Sequence, residues 1–176
     1  MKQSPEQNTL KQQLVELAPL GYTISFRMLG SAEAAEEALQ NAYVEALKGL
    51  RGFRGEAALS TWFTRIVINV CNRQFRYLRK LDRLLTGTDM ELVPDNSIDT
   101  SRDASMTARI HSAVADLPPR QKTALVLRYG EGLDLAQMAN VMGCTVGAVK
   151  AHLSKGIHKL KKKLTPLPTG EVLHET

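Results

Sequence analysis

Cysteine is scarce in this chain: Cys71 and Cys144 are the two in 176 residues, and neither belongs to a CxxC pair or a His/Cys cluster. That excludes a disulfide framework and leaves a zinc site without support. Both thiols are expected to act as small buried apolar groups in a reducing cytoplasm. Long apolar runs are missing too, since no stretch approaches the roughly 18 residues of a membrane span. The opening MKQSPEQNTLKQQ has no apolar core of the kind a signal peptide carries, so a soluble, cytoplasmic protein is expected. Paired carboxylates, a metal-ligand cluster, an activated nucleophile and a phosphate-cradling glycine loop are all lacking, so no enzyme chemistry, metal or cofactor is expected.

What the chain does have is charge laid out in blocks. Residues 1–80 carry eleven Lys or Arg against seven Asp or Glu, a net +4, and residues 107–164 carry ten against three, a net +7. Between them, LDRLLTGTDMELVPDNSIDTSRDASM (residues 81–106) is rich in Asp, Ser and Thr and carries −4, while the tail 165–176 carries −2. Two basic, helix-patterned blocks on an acidic tether point to two contacts with a polyanion, because phosphate neutralisation with counterion release drives most non-specific nucleic-acid binding. The expected architecture is all-α: two small helical domains joined by a flexible linker.

In the second block, Leu133 to Leu164 reads LDLAQMANVMGCTVGAVKAHLSKGIHKLKKKL. A helix over about Asp134–Met142 buries Met138, Ala139 and Met142, Gly143 supplies a left-handed terminator, and Thr145 caps the next helix. Val146, Val149, Leu153, Ile157, Leu160 and Leu164 then form one apolar stripe. The opposite face carries Lys150, Ala151, Ser154, Lys155, His158, Lys159 and Lys162. This is a helix-turn-helix pattern whose second helix fits a DNA major groove; a merely solvated lysine face is the other reading of the same residues.

The first block shows three long helical patterns. Leu10–Leu29 is interrupted at Pro19 and closed by Gly30, and Ser31 caps a helix reaching about Lys48. Glu36, Glu37, Gln40 and Asn41 share one side of that helix, where they serve either the helix dipole or a partner. The third pattern, Leu59–Leu81, buries Leu59, Trp62, Phe63, Ile66 and Val70 and leaves Arg65, Asn69, Asn72, Arg73, Arg76 and Lys80 as a polar stripe about 23 Å long. Arginine suits phosphates and stacked bases and asparagine can read base edges, although a generic basic surface has the same composition. Just before it, the glycine-rich loop GLRGFRGEAAL brings Arg51, Phe53 and Arg54 beside the stripe, where an unstacked base could lodge.

FRGEAALSTWFTRIVINV (residues 53–70) followed by LPPRQKTALVLRYGEGLDLAQMANVMGCTVGAVKAHLSKGIHKL (residues 117–160) resembles the bacterial extracytoplasmic-function sigma factors, and the likeness covers nearly all of residues 10–164. The resemblance implies a transcription initiation subunit with no catalysis of its own. Residues 1–80 would form the domain that binds core RNA polymerase and opens the −10 element. Residues 81–106 would be the linker, residues 107–164 the helix-turn-helix domain that reads the −35 element, and 165–176 a tail. By the same resemblance, polymerase contact with the β′ clamp helices falls on Glu36, Glu37, Gln40, Asn41 and Tyr43, and the β flap is a further polymerase contact. Recognition and melting near −10 fall on Phe53, Arg54, Gly55, Glu56, Thr61, Trp62, Arg65, Asn69, Arg73 and Arg76, and −35 contacts on Val146, Gly147, Lys150, Ala151, Ser154 and Lys155. Many members of the family also bind an anti-sigma factor.

Four positions depart from the family pattern: Asn41 replaces an acid, Leu47 an aromatic, and Lys150 and Ala151 the usual Arg and Ser. Lysine cannot make the bidentate guanine contact of arginine, which shifts −35 readout toward phosphate and shape. An autonomous helix-turn-helix regulator that binds duplex DNA without polymerase is the alternative; it would leave the Arg/Asn helix unused.

Overall fold

A computed structural model describes residues 5–86, 109–110 and 112–164. The tail and most of the acidic stretch lie outside these residues. Four helices make the N-terminal half: α1 (Pro5–Glu16), α2 (Ala18–Leu29), α3 (Ala32–Gly49) and α4 (Leu59–Thr86), with a 3-10 turn at Leu50–Gly52. The C-terminal half holds α5 (Pro119–Leu125), α6 (Leu135–Met142) and α7 (Val146–Leu164). A single π turn, Val126–Gly130, continues α5. Among the described residues there is no strand, and no helix is long and apolar enough to cross a membrane.

Local chemistry sets most of the boundaries. Pro19 sits in the first turn of α2, where its missing N–H costs nothing, so the predicted interruption is a break between two helices at Leu17. Gly30 ends α2 with φ 76°, and the Ser31 side chain accepts from Ala34 N to start α3. Asp134 opens α6 with a capping box: its carboxylate accepts from Ala136 N and Gln137 N while the Gln137 side chain accepts from Asp134 N. Gly143, at φ 60°, turns the chain into α7, where Thr145 Oγ1 accepts from Ala148 N. Helix α4 departs from expectation by running on to Thr86, so the acidic stretch begins inside a helix rather than after one.

Alanines at 35, 38, 42 and 46 let α3 lie close against its neighbours. The buried residues of α4 are Phe63, Thr64, Val67, Ile68, Val70, Cys71 and Phe75, a broader arc than the predicted stripe, with Trp62 and Ile66 only partly covered. The arc widens because α4 is covered twice, by α2 and α3 on one side and by α5 and α6 on another. Accordingly, one continuous core runs from Leu14 and Ile24 through Phe63 and Val67 to Leu127, Met138 and Val149.

Cys71 is fully buried and donates to Ser25 Oγ at 3.6 Å, and burial pushes its thiol up to about 11. A thiolate is therefore scarce below that pH. Brief alkylation at pH 8 should label Cys144, which is half-buried, and leave Cys71 unlabelled until denaturant is added. Mass spectrometry of the labelled peptides checks this.

Candidate nucleic-acid and polymerase interface

Three surfaces carry the predicted residues. On α3, Glu36, Glu37, Gln40 and Asn41 are exposed along one side, as expected. Glu37 accepts from Gln74 Nε2 at 2.9 Å, which fixes that carboxylate against α4. Tyr43 does not share this side: its hydroxyl donates to Leu14 O at 3.1 Å and its ring lies 5.2 Å from that of Phe63. It braces α1 against the bundle. Val44 and Leu47, by contrast, continue the exposed side and are 49% and 48% exposed. Their position off the Ala35/Ala38/Ala42/Ala46 stripe was the signal in the sequence.

Around the N-terminus of α4, the Phe53 ring lies 5.2 Å from Trp62 at 51°, and Trp62 packs so closely on Gly49 that a Cβ there would stand 3.1 Å from the indole. Phe53 and Trp62 thus form a tilted aromatic pair behind a loop whose outer residues, Arg54, Gly55 and Glu56, are exposed. Gly55 takes φ 69°, and Arg54 and Glu56 approach to 4.0 Å, an exposed pair worth little in water.

Farther along α4, Arg65, Asn69, Arg73 and Arg76 are exposed and Asn72 is half-buried, on a side that borders the C-terminal half. Thr61 borders a small cavity shared with Glu131, Leu133 and Gln137. Arg65 reaches the turn before α7, with Nη2 3.7 Å from where a Gly143 Cβ would stand. Asn69, Asn72, Arg73 and Arg76 then line a crevice of about 520 Å³ whose far wall includes Pro119 and Arg120. Arg76 Nε donates to Asn72 O at 3.2 Å, and Arg73 pairs with Glu45 of α3.

On α7 the predicted residues stand together and free of the N-terminal half. Val146, Gly147, Lys150, Ala151, Ser154 and Lys155 are all exposed on its outer side, while Val149 is fully buried beneath. His152 is held below its ordinary pKa by burial, then by Arg120 and Lys155.

A fourth feature had no signature in the sequence. An apolar groove of about 830 Å³ runs between the end of α2, the π turn and the last turns of α7, bordered by Leu29, Leu125, Tyr129, Ile157, Leu160 and Leu164.

Comparison with known proteins accounts for both halves. The model of sigma-70 region 2 matches residues 14–83, and that of sigma-70 region 4 matches residues 107–160. The RNA polymerase sigma-H factor of Pseudomonas aeruginosa is 32% identical over 151 residues, covering 80% of this chain and 78% of its own. The ECF RNA polymerase sigma factor SigW of Bacillus subtilis is 28% identical over 156 residues, covering 83% of each. Among solved structures, the sigma factor RpoE of Bartonella quintana, in complex with the anti-sigma factor NepR, shares the fold with a TM-score of 0.67 at 21% identity, over 88% of this chain and 95% of that one. CnrH, in complex with the cytosolic domain of CnrY, gives 0.62 at 20% identity, over 90% and 88%. Matched in both halves and in the same order, the chain belongs to the extracytoplasmic-function RNA polymerase sigma factors, non-enzymatic initiation factors that direct polymerase to promoters.

Proposed function

We propose that the chain divides this work among the surfaces just described. The N-terminal domain, residues 1–80, docks on core polymerase through Glu36, Glu37, Gln40 and Asn41, with Val44 and Leu47 as the apolar centre of the contact. The Phe53–Trp62 pair and the loop Arg54-Gly55-Glu56 take an unpaired base near −10, and Thr61, Arg65, Asn69, Arg73 and Arg76 follow the separated strand. Capturing a flipped base offsets a few kcal/mol of unstacking, and each aromatic stack returns roughly 1–3 kcal/mol, so melting is driven by binding rather than by catalysis. Residues 81–106 tether this domain to residues 107–164, whose α7 sets Lys150, Ala151, Ser154 and Lys155 into the −35 major groove. Val146 and Gly147 approach the phosphate backbone.

The protein acts in the cytoplasm and has no reaction of its own. Because the structural relative RpoE is seen with the anti-sigma factor NepR, we assign the groove along α2 and α7 to an apolar segment of such a partner.

One observation carries the reading: an exposed helix of cations and small side chains, backed by the Gly143–Thr145 turn, stands on the same chain as an aromatic-flanked Arg/Asn helix. Lys155→Glu should weaken −35-dependent initiation while leaving affinity for core polymerase unchanged. Leu47→Glu should do the reverse, weakening core binding by about tenfold while the free protein's affinity for duplex −35 DNA stays the same. Gel-shift and core-binding assays on both variants test the division, and loss of core binding by Lys155→Glu would contradict it.

A further inference from the structure

A groove of about 430 Å³ runs between α3 and α4, on a side of α4 that the promoter stripe leaves unused. It follows α3 from Glu37 to Lys48, about 16 Å by helix rise. Buried Val70 forms its floor, and the exposed side chains of Val44 on α3 and Tyr77 on α4 form its edges. Two polar pairs join the same walls: Gln74 Nε2 donates to Glu37 at 2.9 Å, and Arg73 pairs with Glu45.

Tyr77 is 65% exposed, and its place on α4 decides what it can meet. At 3.6 residues per turn it stands about a quarter turn from the stripe of Arg65, Asn69 and Arg76, on the side that Val70 and Gln74 share. The ring therefore belongs to the α3 groove and not to the stripe. Leu81, four positions on and also exposed, continues the same edge.

A furrow between two helices matches the ridge of side chains on a third, so the occupant that fits is an amphipathic helix. An apolar side chain of that helix, placed between Val44 and Tyr77, would take both out of water, which is favourable in proportion to the apolar area covered. Glu36 and Glu37, at one end of the groove, complement cations flanking that side chain. Core RNA polymerase is the partner whose contact is continuous with this groove: Glu37, Asn41 and Val44 line it and also belong to the side of α3 given to polymerase above.

We propose that core polymerase docks on α3 and α4 together, laying an amphipathic helix in the groove with one apolar side chain between Val44 and Tyr77. Tyr77 thereby becomes a polymerase-binding residue of α4, the helix whose other side follows the promoter strand. Docking and strand capture are then set by two sides of one helix. The inference rests on the polymerase role given to α3 and extends it to a second helix.

Affinity for core polymerase, measured on the full chain by fluorescence anisotropy, tests it. Tyr77→Ala should weaken binding about tenfold and Val44→Ala about threefold. The double variant should lose clearly less than the roughly thirtyfold of independent contacts, because both residues hold the same side chain. Tyr77→Phe, which keeps the ring, should recover most of the affinity. Helical circular dichroism and affinity for −35 duplex DNA should stay the same throughout, since both positions are exposed. Unchanged core binding in Tyr77→Ala, with a loss in Leu47→Glu, would overturn the α4 contact and leave the reading of α3 standing. Unchanged binding in both would remove that reading as well. Losses that simply multiply in the double variant would overturn the shared seat. Intact core binding with loss of single-stranded −10 binding, or with a dimer turned monomer in sedimentation, would give the ring to DNA or to a second copy instead.

Discussion

Phe63→Ala should cost about 3–5 kcal/mol, a large share of the roughly 5–15 kcal/mol that holds a domain folded. The ring is fully buried and lies against Tyr43, and it forces close helix packing: a Cβ on Gly21 would stand 2.9 Å from Phe63 Cε1 and 2.7 Å from Leu39 Cδ1. Deleting it leaves a void at the crossing of α2, α3 and α4 that their interlocked backbones cannot collapse to fill. With a urea slope of about 2 kcal/mol/M, the midpoint should fall by about 2 M without a change of slope. A fall of a few tenths molar would mean that this crossing is not the centre of the core.

The second large effect concerns DNA. Replacing Lys150 and Lys155 together with glutamine removes two cations that stand in water on the outer side of α7. Each phosphate contact contributes about 0.9 to the slope of log affinity against log salt, so the slope for promoter DNA should become shallower by about 1.8. Because lysine acts on phosphate as a point charge, the loss should be similar on promoters with altered −35 sequences, which an arginine reading guanine would not give. Titrations at several salt concentrations on matched and scrambled −35 duplexes measure both. An unchanged slope would place α7 away from the backbone.

The parts of this fold that were legible in the sequence are those fixed by neighbours a few residues apart. Gly30 with Ser31, and Gly143 with Thr145, mark helix ends through contacts spanning three or four positions, and both turns stand where the residue types required them. The exposed side of α7 followed from helical period alone. What escaped was everything made by distant segments. Lys122 reads as one more cation, and nothing local says that it caps a helix 94 positions away or that Arg27 meets a carboxylate 104 positions on. Tyr43 is amphipathic, and nothing in its neighbours says that its hydroxyl bonds to the carbonyls of Leu14 and Val15, 29 and 28 positions away. Val67, Cys71 and Phe75 fell outside a one-sided apolar stripe because α4 is covered from two sides, a property of the assembly rather than of the helix.

The division of roles has one direct test. Purified chain is added to core RNA polymerase, and transcripts are mapped from a library of promoter fragments. Defined starts at a subset of promoters, lost with Trp62→Ala and with the double lysine variant, are the expected result. A chain that shifts duplex DNA alone yet gives no start with core polymerase on any fragment would contradict the account.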